Sequence, residues 1–175
     1  MTKTGLIMVY TGNGKGKTTA AVGLGLRAVG HGKKVKMIQF MKGPGNVYGE
    51  TLAVRQMVPS FEIVQCGRDD FVDKQNPEED DSELAKKGLE LARQALSGNY
   101  DLVILDEINV VVDFGLLEID DVIEVVKARA PSVDVVLTGR YAPEQFMEIA
   151  DLVSEVREVK HHYNKGISAR EGIEF

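Results

Sequence analysis

The chain has 175 residues, of which 21 are basic, 27 are acidic and one is cysteine. This length, with 43% hydrophobic and 27% charged residues, predicts one globular domain over residues 1–175. The net charge of −6 argues against broad binding to nucleic acid, and no apolar run is long enough for a membrane span or a signal peptide. One cysteine cannot form an intrachain disulfide or a thiolate metal cage, so we expect a cytoplasmic protein.

Short apolar runs alternate with longer amphipathic stretches along the chain. The runs predict strands at 6–10, 35–40, 61–66, 102–105, 133–137 and 152–159. The amphipathic stretches predict helices at 17–31, 77–96, 119–130 and 143–149. Strands that are apolar without interruption are typical of a sheet covered by helices on both faces. The order therefore predicts an α/β fold with a mostly parallel six-stranded sheet.

The predicted helix at 77–96 has clear boundary signals. Asn76 suits the N-cap, Pro77 suits the first helical position, and Glu79 completes a capping pattern. Gly98 marks the end of the helix.

Two stretches fit neither a strand nor a helix. Residues 42–49 are rich in glycine, residues 68–81 are rich in acid, and each stretch follows a predicted strand. Ligands of open parallel sheets bind at the carboxyl ends of the strands, so both stretches are predicted site loops. Lys42 and Tyr48 in the first of them are candidates for substrate contact.

The strongest motif is Thr-Gly-Asn-Gly-Lys-Gly-Lys-Thr-Thr at 11–19, between the first predicted strand and the first predicted helix. Its glycines allow successive backbone N–H groups to point at an anion, and the helix N-terminus adds a partial positive charge. Lys17 supplies a cation, and the Thr18 hydroxyl suits a magnesium ion shared with phosphates. Counting back from Gly16, Thr11 replaces the first glycine of the usual motif. We therefore expect a tighter or differently shaped phosphate cradle.

The second element of the predicted site is the apolar strand that ends in Asp106 and Glu107. A phosphate-loop fold places such carboxylates beside the metal ion. Either residue could bind magnesium, directly or through water, because this ion prefers oxygen ligands.

These motifs resemble the P-loop class of ATP:corrinoid adenosyltransferases, which act on cob(I)alamin and cobinamide. The specific block is 11–43, and the resemblance continues at 73–76, 105–107, 137–140, 153–161 and 172–175. It implies a RecA-like sheet, a homodimer, and transfer of the 5′-deoxyadenosyl group of ATP to Co(I) with release of triphosphate. It also implies that the nucleotide lies reversed relative to most P-loop proteins, with its triphosphate in the loop. A flavoprotein or another reductase would supply Co(I).

The resemblance also implies roles for individual residues. Glu107 would contact magnesium, and with Lys17 and Thr18 it forms the expected catalytic set. The expected magnesium ligands are Thr18, Asp106 and Glu107. The expected contacts to the nucleotide and the corrinoid are Gly12, Asn13, Gly14, Lys15, Gly16, Lys17, Thr18, Thr19, Arg27, Lys42 and Phe71.

The chain departs from the family pattern in two places. Relatives often carry an N-terminal extension that covers the site, whereas the first strand here is predicted to begin near Leu6. We therefore expect any cover to come from another segment. Relatives also often place an aromatic pair against the corrin. Phe71 can supply one ring, but Val72 stands where the larger ring is expected. His161 and His162 follow the last strand, where we favour a solvated turn over a contact with a corrin side chain or the nucleobase.

Two other functions remain open from the residues alone. A generic P-loop ATPase or small-molecule kinase would need an arginine near the γ-phosphate, and Arg140 could fill that role. A carrier that binds nucleotide or corrinoid without turnover is the other alternative. A type II thymidine kinase is disfavoured, since one cysteine cannot build its zinc ribbon.

Overall fold

The computed structural model describes residues 4–45 and 47–175, so Asn46 of the predicted glycine-rich loop lies outside the described residues. The strands are β1 (Ile7–Thr11), β2 (Val35–Phe40), β3 (Phe61–Cys66), β4 (Leu102–Asp106), β5 (Asp134–Thr138) and β6 (Leu152–Glu155). The helices are α1 (Lys17–Gly30), α2 (Gly49–Met57), α3 (Glu79–Leu96), α4 (Ile108–Asp113), α5 (Ile119–Lys127) and α6 (Glu144–Ile149), followed by a 3₁₀ helix (His162–Lys165). Within the described ranges, no helix is both long and apolar enough to span a bilayer.

The six strands form one sheet in the order β3-β2-β4-β5-β1-β6, and each neighbouring pair is parallel. The predicted α/β fold with a parallel six-stranded sheet is therefore confirmed. Parallel pairing brings the carboxyl ends of all six strands to the same edge. The segments that follow β1, β2, β4 and β5 meet there.

Helices cover both faces of the sheet, and a separate apolar core fills each face. Ile7 and Val9 of β1 point into one core, whereas Met8 between them points into the other. The first core packs against α3 to α6 and the second against α1 and α2. Coverage on both faces explains why β4 is apolar without alternation and is buried along its full length.

Three predicted boundaries are wrong by a few residues. β6 ends at Glu155, because the chain beyond it turns away to pack against the loop after β1. The N-cap of α3 is Glu78 rather than Asn76, and the Glu78 N–H donates to Asp81 Oδ2 at 2.9 Å. α5 ends at Lys127, three residues earlier than its pattern suggests. The end of α3 is as predicted, since the helix stops at Leu96 and Gly98 has a φ of 117°.

α2 and α4 were not predicted. Each is short, with 9 and 6 residues respectively, so its apolar side chains provide too few turns for a clear helical period. α4 follows β4 directly after Glu107, whose left-handed backbone turns the chain at once. Both helices nevertheless lie next to the site loops.

Two glycines of α1 provide a matched test of how this helix packs. A Cβ atom on Gly25 would lie 2.5 Å from the buried Phe61 ring, whereas one on Gly23 meets nothing within 4 Å. We predict that Gly25→Ala lowers the free energy of unfolding by about 1–3 kcal/mol through overpacking. Gly23→Ala should raise it by about 0.5–1 kcal/mol through helix propensity. Chemical denaturation measures both, and a loss of equal size at the two positions would contradict the packing of α1 on β3.

Candidate active site

The loop between β1 and α1 is braced by the chain that follows β6. The Gly14 N–H donates to Val156 O at 2.8 Å, and the Val156 N–H donates to Thr11 O at 2.8 Å. Gly12 has a φ of 96°, and a Cβ atom there would clash with Val156 O. Gly16 has a φ of 120° at the start of α1. The backbone needs glycine at both positions, and the loop shape is fixed before any ligand binds.

Lys17 folds back into this loop. Its Nζ donates to Gly12 O at 2.7 Å and to Gly14 O at 2.8 Å, and the residue is only 7% exposed. Burial lowers the pKa of the Lys17 ammonium, although nearby Glu107 opposes the shift. The loop therefore holds a partly desolvated cation that can exchange carbonyl oxygens for those of an anion.

Asp106 lies beneath the loop and is fully buried at the end of β4. Its Oδ1 accepts hydrogen bonds from Thr18 Oγ1 at 2.9 Å and from Thr138 Oγ1 at 2.7 Å. Its Oδ2 accepts from Lys42 Nζ at 2.8 Å, and Gln39 Nε2 lies 3.4 Å away. Protein donors thus occupy both carboxylate oxygens of Asp106. Through these hydrogen bonds, Asp106 connects α1, β5 and the segment after β2.

Glu107 differs from Asp106, its neighbour, in facing the open cavity. Its φ is 66°, and its N–H donates to Thr138 Oγ1 at 3.0 Å, which fixes this left-handed turn. Burial raises the pKa of the Glu107 carboxyl, and the charge of Asp106 raises it further, while Lys42 and Lys17 oppose the shift. A carboxylate in this position is suited to binding a cation.

The oxygen donors fit the predicted magnesium ion. The Thr18 hydroxyl and the Glu107 carboxylate line the same cavity, and hard cations prefer such oxygen ligands. Among the described residues, no group of three or more His, Cys, Asp or Glu side chains is placed to hold a metal. In the usual magnesium site, phosphates and water supply most of the ligands.

A cavity of about 550 Å³ lies over the loop and contains most of the predicted contacts. The predicted residues that line it are Gly14, Lys15, Gly16, Lys17, Thr18, Thr19, Lys42 and Glu107. Gly12 and Asn13 belong to the same loop but do not line the cavity. Lys42 Nζ also lies 4.9 Å from the centre of the Tyr48 ring, at the cavity wall.

The structure does not bring Arg27 or Phe71 to this cavity. Arg27 is in the last turn of α1, about 15 Å along the helix axis from Lys17 at 1.5 Å per residue. Phe71 is 104% exposed, in the loop after β3. Its neighbour Val72 packs instead against the core.

Sequence reasoning missed several residues of the cavity wall. Glu50 comes from the unpredicted α2, and its Oε1 accepts from Gln39 Nε2 at 3.1 Å. His161 directly precedes the 3₁₀ helix, is half-buried and also lines the cavity. The segment 172–175 lines the cavity as well. No spacing or periodicity in the sequence indicates that this segment returns to the cavity. Only the family resemblance at 172–175 points to it.

Known proteins share both the sequence and the fold. A family model described as ATP:corrinoid adenosyltransferase BtuR/CobO/CobP matches residues 3–175. The corrinoid adenosyltransferase of Escherichia coli (strain K12) is 38% identical over 172 residues, which is 98% of this chain and 86% of that protein. The corrinoid adenosyltransferase CobA of Salmonella typhimurium is also 38% identical, over 98% of this chain and 86% of that protein.

Two solved structures resemble the fold at low sequence identity. The RadB recombinase has a TM-score of 0.56 and 16% identity, over 91% of this chain and 77% of that chain. The flagellar accessory protein FlaH from Methanocaldococcus jannaschii has a TM-score of 0.57 and 11% identity, over 87% of this chain and 71% of that chain. These likenesses concern the fold alone, and they confirm the RecA-like P-loop architecture.

The raised pKa of Glu107 leads to a prediction about stability and pH. In the folded chain this carboxyl binds its proton more tightly than in the unfolded chain, so its ionisation costs stability. Without metal or nucleotide, and with a chelator present, Glu107→Gln should therefore be more stable than wild type at pH 7 to 8. The difference should vanish once the pH falls below the ordinary carboxyl pKa of 4.5.

Thermal unfolding across this pH range measures the effect. The exposed Glu148 provides a control, since Glu148→Gln removes the same charge from the surface. If the two variants gain the same stability at neutral pH, the raised pKa of Glu107 is not the cause of the gain, and the prediction is contradicted.

Proposed function

Because the chain belongs to the ATP:corrinoid adenosyltransferase family BtuR/CobO/CobP, we propose that it transfers the 5′-deoxyadenosyl group of ATP to the Co(I) centre of a reduced corrinoid, releasing inorganic triphosphate. The observation that carries the proposal is the shared cavity, where the phosphate loop, Lys17, Thr18 and Glu107 face the same space. In the proposed reaction the Co–C5′ bond forms and the C5′–O bond breaks. The electron pair of the broken bond stays on the triphosphate.

The loop and its lysines would stabilise the charge that grows on the triphosphate. Lys17 would exchange the carbonyl oxygens of Gly12 and Gly14 for phosphate oxygens as the substrate enters. Lys15 and Lys42 line the same cavity and add further positive charge. Fixed donors that face a developing negative charge lower the barrier because they need no reorganisation.

We propose that Thr18 and Glu107 hold a magnesium ion together with the phosphates. Asp106 would act through Thr18, because protein donors already occupy both of its oxygens. When bound, the metal ion would supply positive charge to the triphosphate leaving group.

The reaction needs no general base. Co(I) is a metal-centred nucleophile with no proton to lose, so the chain has only to orient the reactants and bind the leaving group. A raised pKa would suit Glu107 to proton transfer, but its position beside Thr18 favours the role of a metal ligand.

We also propose a homodimer, a reductase partner and a cytoplasmic location. The edge strand β6 supports the dimer, because Leu152 and Val153 are 43% and 45% exposed there.

Formation of Co(I) requires an electron donor, for which a flavoprotein or another reductase is suited. Both Co(I) and the free thiol of Cys66 are compatible with a reducing compartment.

The decisive assay combines the protein with ATP, Mg²⁺ and chemically reduced corrinoid. The proposal predicts the light-sensitive spectrum of a cobalt–carbon bond together with inorganic triphosphate. ADP and phosphate without alkylation of the corrinoid would instead indicate an ATPase or a kinase. Arg140, which lines the cavity, would then be the arginine near the γ-phosphate. Bound ligands without any product would indicate a carrier.

Lys17→Ala provides the matched variant for this assay. We expect a loss of about 10²–10³-fold in turnover, the usual cost of removing one group that stabilises transition-state charge. Stability should fall much less than turnover, since the variant loses the hydrogen bonds of Nζ to Gly12 O and Gly14 O but also removes a cation that burial disfavours. The exposed Lys34 provides the control variant Lys34→Ala. Equal turnover in the two variants would contradict the role of the loop.

A further inference from the structure

The segment 172–175 forms a compact turn at the cavity wall, next to Lys15 of the phosphate loop. The Gly172 N–H donates to Phe175 O at 2.7 Å, and the Glu174 N–H donates to Arg170 O at 2.9 Å. In return, the Arg170 N–H donates to Glu174 Oε2 at 2.8 Å. These bonds fix the direction in which the Glu174 carboxylate points.

The second oxygen of this carboxylate lies between two basic side chains. Glu174 Oε1 is 3.6 Å from Lys15 Nζ and 3.7 Å from His162 Nε2. It is buried, and it makes no hydrogen bond with any residue in the described part of the chain. The hydrogen bond from Arg170 lowers the pKa of Glu174, and Lys15 lowers it further, so this carboxylate is charged at neutral pH. A buried acceptor with ion pairing but no hydrogen bond is a weakly satisfied anion.

Lys15 belongs to the phosphate loop, and its side chain is 39% exposed towards the cavity. Its partner among the described residues is thus an acid from a distant part of the chain rather than a loop carbonyl. The ion pair leaves the ammonium accessible and holds it at a distance longer than a hydrogen bond. A polyphosphate oxygen is a stronger partner for such a cation, because it adds a charge-assisted hydrogen bond.

We propose that Glu174 competes with the polyphosphate of the nucleotide for Lys15. Binding of polyphosphate in the loop breaks the Lys15–Glu174 pair, and the pair forms again as triphosphate leaves. The inference rests on the proposed binding of triphosphate in the loop. It adds that Glu174 lowers the affinity for polyphosphate and assists product release.

This arrangement addresses a difficulty of the proposed reaction. A loop with several backbone donors, Lys15 and Lys17 holds a highly charged product tightly, and release leaves these cations without phosphate partners. Lys17 already has the carbonyls of Gly12 and Gly14 to return to. Glu174 provides the corresponding partner for Lys15.

Binding of inorganic tripolyphosphate to the full chain, measured by titration calorimetry in buffer with Mg²⁺, tests the proposal. Glu174→Gln keeps the size of the side chain and removes the competing charge. We expect it to bind tripolyphosphate about two- to fivefold more tightly than wild type, the range expected for a partly exposed ion pair. The exposed Glu171 provides the control, because Glu171→Gln changes the net charge equally within the same turn. The control should bind as wild type does.

The possible outcomes separate this inference from the proposed function. If wild type binds tripolyphosphate and Glu174→Gln binds it equally or less tightly, Glu174 is no competitor and only the inference fails. A gain shared equally by both variants would also overturn it, since net charge alone would then explain the effect. If wild type does not bind tripolyphosphate at all, the inference and the proposed role of the loop fail together.

Discussion

The Asp106 carboxylate is buried beneath the phosphate loop, and its charge must be matched by partners that cannot leave. A buried carboxylate without partners costs several kcal/mol, about 3–5 kcal/mol when one partner of a buried pair is removed. Thr18, Thr138 and Lys42 supply the matching donors, from the start of α1, the end of β5 and the segment after β2. One charge thus ties three segments of the sheet edge together and fixes the floor of the cavity.

The hydrogen bonds that Asp106 accepts determine the role of its neighbour Glu107. Because protein donors occupy Asp106, Glu107 is the acid of this pair that faces the cavity. Thr138 joins the two, since its hydroxyl donates to Asp106 and accepts the Glu107 N–H. The left-handed backbone of Glu107 costs about 1–3 kcal/mol, and this hydrogen bond helps to hold it. Strain at this position is consistent with a functional role for Glu107.

The fold and the phosphate loop could be predicted because their signals are local. Apolar runs specify strands, and the glycines, Lys17 and Thr18 lie within nine residues of sequence. The short helix α2 gave no clear period, so Glu50 was missed. The Lys42–Asp106 pair and the approach of segment 172–175 join residues distant in sequence. The expected phosphate contact of Arg27 came from the resemblance, and the length of α1 places that residue away from the cavity.

Asp106 and Lys42 depend on each other as a buried pair on which the floor of the cavity rests. A double-mutant cycle with Lys42→Met, Asp106→Asn and the combined variant, followed by chemical denaturation, tests it most directly. We predict that each single change is costly, because it leaves a buried group without its partner, and that the double variant recovers at least about 1–3 kcal/mol relative to the sum of the two. Losses that add to within about 0.5 kcal/mol would show that the two residues do not interact, and would contradict this account of the site.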